Sequence, residues 1–382
     1  MKKIVLFFIM FFVLCTTVYA NDKNIIKNAR SGLLMEASSG EILFEKEKDK
    51  KVAVASMTKM VAQIIILENI EQGNLTWDEI ITVSSNASGM GGSQIYLQTG
   101  EKMTVRDLMK GITMASANDA TVAMAERIAG TEEAFVRLMN QRVKELGLKN
   151  TVFKNSTGLD EDGHYSSAYD MAVIARELLS HEEILEISSV YEDYLRVDTP
   201  NKFWLVNTIK LVRFYEGADG LKTGFTDNAK YCMAVTAKRD NMRLIAIVLG
   251  EDSGKVRNQE TMEFLDYGFN LYKVDLIKSK DDKVGSTKIN KSNKESIDVY
   301  PSEDITILGK KADASLNYDI EVKLNDVKLP IKKDSVIGKI IVKNGNKNIK
   351  EVNAIVKENI EKMSFLQILG NTLKDLLTGE VF

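Results

Sequence analysis

The sequence predicts an α/β (α+β) domain, an antiparallel sheet flanked by helices, followed by a small all-β domain and an amphipathic tail helix. Three observations carry this reading. Strand-like runs stand at both ends of the stretch from Ser31 to Tyr272, with helix-periodic segments between them. From about Lys278 the texture changes to short alternating runs rich in β-branched residues. The last segment carries an apolar stripe at helical spacing. With 382 residues, 44% hydrophobic and 27% charged, the chain is long enough for one large domain and a smaller one.

Taken in order, Lys2 and Lys3 precede the apolar run Ile4–Leu14 and the small-residue boundary Val18-Tyr19-Ala20. That is the pattern of a secretory signal peptide over residues 1–20. The apolar run is about half the roughly 20 residues needed to span a bilayer, so cleavage and export are expected rather than anchoring. Cys15 lies inside the signal and follows no small residue, which argues against a lipid-modified N-terminus. The mature chain then keeps Cys232 alone and has no intramolecular disulfide. Losing two lysines moves the net charge from −3 to −5. Such a balance argues against nucleic acid as a partner.

Ser31–Ala37 and Glu41–Glu45 are expected as strands around the turn Ser38-Ser39-Gly40. A helix is expected from Ser56, where Met60, Ile64, Ile65 and Leu67 recur at helical spacing. Further helices are expected at Val105–Met114, Asn118–Ala129, Glu132–Leu146, Tyr169–Leu179 and Val256–Tyr272. Tyr231–Lys238 and Met242–Leu249 are β-rich runs separated by the polar turn Arg239-Asp240-Asn241. The first domain therefore spans 21–277. A β-rich domain over 278–352 follows, with strands at Ser296–Tyr300, Ile305–Leu308, Ile320–Leu324 and Val336–Lys343. In the tail, 353–382, Phe365, Leu366, Ile368, Leu369, Leu373, Leu376 and Leu377 oppose Gln367, Lys374 and Asp375. Such a helix is too polar to span a membrane but suited to lying on its surface; the same stripe could instead pack on the β-domain or in a dimer.

Chemistry is constrained by the two histidines, His164 and His181, both in polar stretches suited to a loop and a helix end. A Ser-His-Asp triad or a histidine-rich zinc site would have to come from these alone, so a nucleophile with another base is expected, with no metal and no cofactor. Ser56-Met57-Thr58-Lys59 is the chain's one Ser-x-x-Lys. An i, i+3 pair shares one helix face, and a lysine amine kept neutral by desolvation or a cationic neighbour can act as the base. Ser116-Ala117-Asn118 joins two expected helices, placing a hydroxyl and an amide at one turn. Lys222-Thr223-Gly224 begins a strand pair, where an edge can receive an extended peptide. Taken alone, each of these motifs is better read as a helix cap with a surface lysine or as a charged hairpin end.

Together and in this order, the three are the motif set of penicillin-binding proteins and class A β-lactamases. The chain resembles the low-molecular-mass penicillin-binding proteins, and specifically the serine D-alanyl-D-alanine carboxypeptidases with a β-lactamase/transpeptidase-like domain. Ala55–Lys59, Ser116–Ala120, Asn155-Ser-Thr-Gly-Leu159, Tyr169-Asp-Met-Ala172 and Gly217–Thr226 look like family blocks. The resemblance covers about 30–275 strongly, and the β-domain with its tail fits the family's layout. It implies Ser56 as acylated nucleophile and Lys59 as base. Ser116, with Lys222, would pass a proton to the departing D-alanine amine, and Asn118 would position the donor peptide. Thr223 would meet the substrate carboxylate, and the backbone amides of Ser56 and Phe225 would form the oxyanion hole. Gly224 lets substrate backbone approach, and Arg257 is a further candidate for carboxylate binding. The implied partners are the peptidoglycan stem peptide, β-lactam inhibitors and, through the tail, the outer face of the cytoplasmic membrane within the cell wall.

Two departures stand out: Phe225 where many relatives carry histidine, and Ala117 where many carry glycine. A β-lactamase of class A would need Glu-x-x-Leu-Asn between the second and third motifs, and here that pattern occurs only at Glu321–Asn325. The same fold also accommodates D,D-endopeptidase action on cross-links and a non-catalytic wall-binding role.

Overall fold

The computed structural model describes residues 25–313 and 318–364, together with 366, 368 and 369. The expected signal peptide and most of the expected tail stripe lie outside the described residues.

The first domain opens with the hairpin β1 (Ser31–Glu36) and β2 (Ile42–Lys46), then a 3₁₀ turn (Ala55–Thr58) that runs into α1 (Lys59–Glu71). Next come β3 (Ile80–Thr82), α2 (Ser85–Ser88), β4 (Lys102–Thr104), α3 (Val105–Met114), α4 (Asn118–Ala129), α5 (Glu132–Glu145), α6 (Ala168–Leu178) and α7 (Glu183–Ser188). The ribbon β5 (Glu192–Leu195) and β6 (Phe203–Val206) and the single turn α8 (Leu211–Phe214) precede β7 (Ala218–Thr226). Then follow β8 (Lys230–Arg239), β9 (Met242–Glu251) and α9 (Gly254–Leu271). The central sheet runs β2-β1-β9-β8-β7, and all its pairs are antiparallel.

β9 sits in the middle of this sheet with both faces covered, which is why it reads as the near-continuous apolar run Leu244–Leu249. On one face Ile245, Ile247 and Leu249 join the core of α1, α3, α4, α5 and α6. On the other, Leu244, Ala246 and Val248 pack under α9 with Phe264 and Leu265. Phe264 is fully buried and meets the Phe44 ring edge-on at 5.2 Å between centroids. Gly268 lets α9 come close, because a Cβ there would sit 2.6 Å from Leu244 Cδ1 and 2.9 Å from Leu34 Cδ2. Cys232 is buried in β8, and burial pushes its thiol up to about 11, leaving it unreactive.

The β-rich part begins earlier than 278, because β10 (Tyr272–Lys278) follows α9 directly. It continues through β11 (Gly285–Thr287), β12 (Ile297–Pro301), β13 (Ile305–Lys310), β14 (Asp319–Leu324), β15 (Val336–Asn344) and β16 (Lys347–Ile355). β10 pairs with β13, and the remaining strands form the sheet β11-β12-β16-β15-β14. Strand structure therefore passes the expected boundary at 352, and Val356 and Ile360 are fully buried in this domain's own core. β16 escapes the sequence pattern because its first residues, Ile349 included, are exposed, with Val352 and Ala354 alone buried. Among the described residues no helix is long and apolar enough to cross a membrane.

Phe264→Ala would leave a ring-sized void between α9 and the sheet. It is expected to destabilise the first domain by about 3–5 kcal/mol, measured by denaturant unfolding.

Candidate active site

Ser56 stands on the 3₁₀ turn just ahead of α1 rather than inside the expected helix. The i, i+3 relation survives, since side chains three apart eclipse in a 3₁₀ turn. Lys59 Nζ lies 2.9 Å from Ser56 Oγ and donates to the Thr157 carbonyl at 2.7 Å. Ser56 Oγ is itself 3.4 Å from that carbonyl. Lys59 is fully buried and, among the described residues, makes no salt bridge. Burial, and next the positive charge of Lys222, hold its pKa well below the usual lysine range, while Asp119 opposes the shift.

Two glycines let neighbouring chain close on this turn. Gly158 has φ +85°, and a Cβ there would fall 2.0 Å from the Ala55 carbonyl oxygen. A Cβ on Gly224 would meet the Val54 oxygen at 2.8 Å and the Ser56 amide nitrogen at 3.1 Å. Gly224 therefore lets β7 close against the turn that carries Ser56. The Asn155 side chain shapes the loop that carries Thr157, accepting from Gly158 N at 2.8 Å and Leu159 N at 3.2 Å. Sequence reasoning marks Asn155–Leu159 as a block without giving Thr157 or Gly158 a role. The glycine next to a block of small polar residues is the available signal.

Ser116 lies between α3 and α4 with φ 61°, and its buried hydroxyl has no hydrogen-bond partner among the described residues. Asn118 opens α4, donating from its backbone to Ser93 O and from Nδ2 to Gly91 O, each at 2.7 Å. Its Oδ1 is buried and unpartnered among the described residues. Gly92, facing Asn118, also faces Leu159, so α4 and the Thr157 loop meet here. Asp119, missed in the sequence, accepts from the amides of Ile95 and Leu97 at 3.0–3.2 Å and pins the Gly91–Leu97 segment across the cleft.

β7 is the edge strand of the central sheet. Pleating puts Lys222 and Gly224 on the Ser56 face and Thr223 and Phe225 on the α9 face. Lys222 is fully buried and donates to its neighbour's carbonyl, Thr223 O, at 3.0 Å. Burial, then Arg257, lower its pKa to about 7. Thr223 is nearly buried. Phe225 is 50% exposed and stacks on Tyr231 at 4.4 Å between centroids, an apolar wall where a histidine would titrate. Arg257, buried in the first turn of α9, holds Asn258 Oδ1 at 2.8 Å and reaches the Cys232 carbonyl at 3.5 Å. It shares the α9 side of the sheet with Thr223. The structure thus gathers Ser56, Lys59, Lys222 and Gly224 directly, with Asn118 across the Leu159 loop.

The two histidines stand in a loop and at a helix end as expected, with polar partners, but both rings are buried. His164 is 7% exposed and bonds Thr58 Oγ1; His181 is 6% exposed and bonds Glu71 at 2.6 Å. Their sequence neighbours are polar, but those side chains point outward while the rings turn inward. Glu68, Glu177 and His181 are close enough to hold a metal, yet Arg142 already bonds both carboxylates. Glu321 lies on β14 in the C-terminal domain and pairs with Lys343, far along the fold from the third motif.

A serine on a helix-entry turn, hydrogen-bonded to a buried amine beside the edge of a helix-flanked antiparallel sheet, defines the class: a serine hydrolase. The family model described as D-alanyl-D-alanine carboxypeptidase matches residues 17–253, and that described as penicillin-binding protein 5, C-terminal domain matches 272–362. The chain belongs to the D-alanyl-D-alanine carboxypeptidase family. It is 44% identical over 348 residues to the D-alanyl-D-alanine carboxypeptidase DacF of Bacillus subtilis, covering 91% of this chain and 90% of that one. The crystal structure of penicillin-binding protein 5 from Haemophilus influenzae superposes with TM-score 0.70 at 30% identity, covering 88% of this chain and 98% of that one. Penicillin-binding protein D2 from Listeria monocytogenes, in its ampicillin-bound form, gives TM-score 0.57 at 33% identity over 63% of this chain and 97% of that one.

Gly158→Ala would force an L-residue into left-handed backbone and press a methyl onto the Ala55 carbonyl. A loss of about 2 kcal/mol or more in unfolding free energy is expected, read by thermal or denaturant unfolding.

Proposed function

We propose that the chain is a serine D-alanyl-D-alanine carboxypeptidase, removing the terminal D-alanine of peptidoglycan pentapeptide through an acyl-enzyme on Ser56. The observation that carries this is the 2.9 Å contact between Ser56 Oγ and the fully buried Lys59 Nζ. Burial without a carboxylate partner, and the charge of Lys222, lower the pKa of Lys59 and so favour a lone pair that can take the serine proton. Ser56 Oγ then attacks the carbonyl carbon of the penultimate D-alanine. The amides of Ser56 and Phe225 receive the developing oxyanion. The C–N bond breaks as the leaving amine gains a proton through Ser116, whose buried hydroxyl has no partner among the described residues and is available for the relay. Asn118 offers the peptide its Oδ1, which has no partner among the described residues. Lys222, Thr223 and Arg257 supply charge and a hydroxyl at the β7 edge for the terminal carboxylate. Water then cleaves the ester and restores Ser56.

A β-lactam presents an acyl carbon to the same serine, and the ampicillin-bound relative supports its entry here. No carboxylate corresponding to the class A β-lactamase glutamate stands between the second and third motifs in sequence, which favours a slow acyl-enzyme. Export and attachment to the outer face of the cytoplasmic membrane complete the reading. Its support is the apolar stripe of the tail, in which Leu366 and Leu369 are 76% and 46% exposed.

Labelled penicillin is expected to form a stable adduct mapping to Ser56, and Ser56→Ala to reduce D-alanine release by at least roughly four orders of magnitude. Rapid penicillin turnover with no adduct would replace this reading with a β-lactamase. The pH dependence has a defined sign. Acylation rises as Lys59 loses its proton through its lowered pKa, and falls above about 7 as Lys222 discharges. Lys222→Arg stays charged and is expected to remove the alkaline limb, measured as the pH profile of acylation by penicillin.

A further inference from the structure

We propose that His164 is a positioning residue that sets the Ser56–Lys59 geometry by holding Thr58, the residue that closes the nucleophile turn just before Lys59. The role rests on the proposed acylation of Ser56.

His164 has one ring nitrogen on each of two fixed partners. Nδ1 accepts the Lys154 backbone N–H at 3.2 Å, which places the ring proton on Nε2. Nε2 lies 2.8 Å from Thr58 Oγ1 and therefore donates to it. Burial lowers the imidazole pKa to about 4, so this tautomer persists at neutral pH. The ring leans on Phe153 at 5.3 Å between centroids, so its plane is set by packing as well.

Thr58 is fully buried, closes the 3₁₀ turn that carries Ser56, and immediately precedes Lys59. It makes no side-chain cap to the α1 backbone. The bond from His164 is its polar anchor. The same connection, residues 151–166, also holds the turn and the chain entering it: Thr157 O on Lys59 Nζ, Gly158 against the Ala55 carbonyl, and, just before the turn, paired backbone bonds between Val52 and Ser166 at 2.8 and 2.9 Å. His164 is the polar side chain in this clamp that grips the turn from its buried side. Losing it frees the turn to rotate, and the Ser56–Lys59 contact loosens without removal of either reacting group.

The test uses the mature full-length chain and single-turnover acylation by fluorescent penicillin, with the labelled residue mapped. His164→Ala is expected to slow acylation about tenfold or more while every molecule is eventually labelled on Ser56. KM for the peptide should change little against kcat. His164→Gln can donate to Thr58 and accept from Lys154, and is expected to restore most of the rate. Thr58→Val removes the acceptor at equal volume and provides an independent arm; combined with His164→Ala it should be no slower than either alone. Wild-type rates in both His164→Ala and Thr58→Val would overturn the assignment, as would rescue by His164→Phe and not by His164→Gln, since packing alone would then suffice. Failure to label Ser56 in the wild-type chain would instead refute the acyl-enzyme itself.

Discussion

The site depends on the burial of two lysine amines within electrostatic reach of each other, with no carboxylate among the described residues to pair with either. A charged amine in that position is strongly disfavoured, and a second positive charge nearby raises the penalty. Burial lowers both amines, with the charge of Lys222 adding to the shift of Lys59 and that of Arg257 to the shift of Lys222. The consequences reach outward. Each buried amine needs oxygen acceptors, and the chain supplies Ser56 Oγ and Thr157 O to one and Thr223 O to the other. Asp119, the nearest acid in sequence to the second motif, is held away from salt-bridge contact because its oxygens are occupied by the Ile95 and Leu97 amides. Were it free to pair with Lys59, the amine would be held charged and unable to accept a proton.

That electrostatic arrangement explains why the motifs lie so far apart in sequence. A neutral lysine needs a dry wall on every side, and no single helix or hairpin provides one. α1 supplies the lysine, the connection before α6 supplies the carbonyl, α4 supplies a polar rim, and β7 supplies an edge. Because β7 ends the sheet, its outward backbone groups are not taken by another strand and remain available to an extended peptide. The pleat then divides labour across that edge. Ser56, Lys59 and Lys222 stand on the α1 side, while Thr223, Phe225 and Arg257 stand on the α9 side.

Much of this is legible in the sequence, for identifiable reasons. α3, α4 and the β8–β9 hairpin fall within a residue or two of expectation, since their apolar periodicity matches their burial and Asp240-Asn241 forms the turn between the two strands. The three motifs are legible as residue types, because a serine–amine pair declares its chemistry without knowledge of the fold. What stays hidden is whatever acts through backbone or through a distant neighbour. Thr157 contributes a carbonyl, which any residue possesses. Gly158 matters through a side chain it lacks. His164 and His181 sit among polar letters yet face inward, and periodicity cannot reveal the direction of a side chain in a non-repeating loop. β16 is hidden for a related reason, as only Val352 and Ala354 of its residues are buried.

The backbone completes the account. Ala55 and Ser116 are both non-glycine residues with positive φ, 48° and 61°, one beside Ser56 and the other between α3 and α4. Such conformations cost about 1–2 kcal/mol each and persist where surrounding packing leaves no alternative. Ala55 is wedged between Gly158 and Gly224, whose missing side chains let two backbones close on it. Ser116 is spanned by the end of α3 and the start of α4, with Ala117 N bonded to Gly111 O and Asn118 N to Ser93 O. Neither residue could relax without moving a helix. Rigidity at these two points therefore comes from the large buried core behind them, and a small domain with the same motifs but less core would let both turns slip into ordinary backbone. The hydroxyls of Ser56 and Ser116 would then point elsewhere, and the contact of Ser56 with the buried Lys59 amine would be lost.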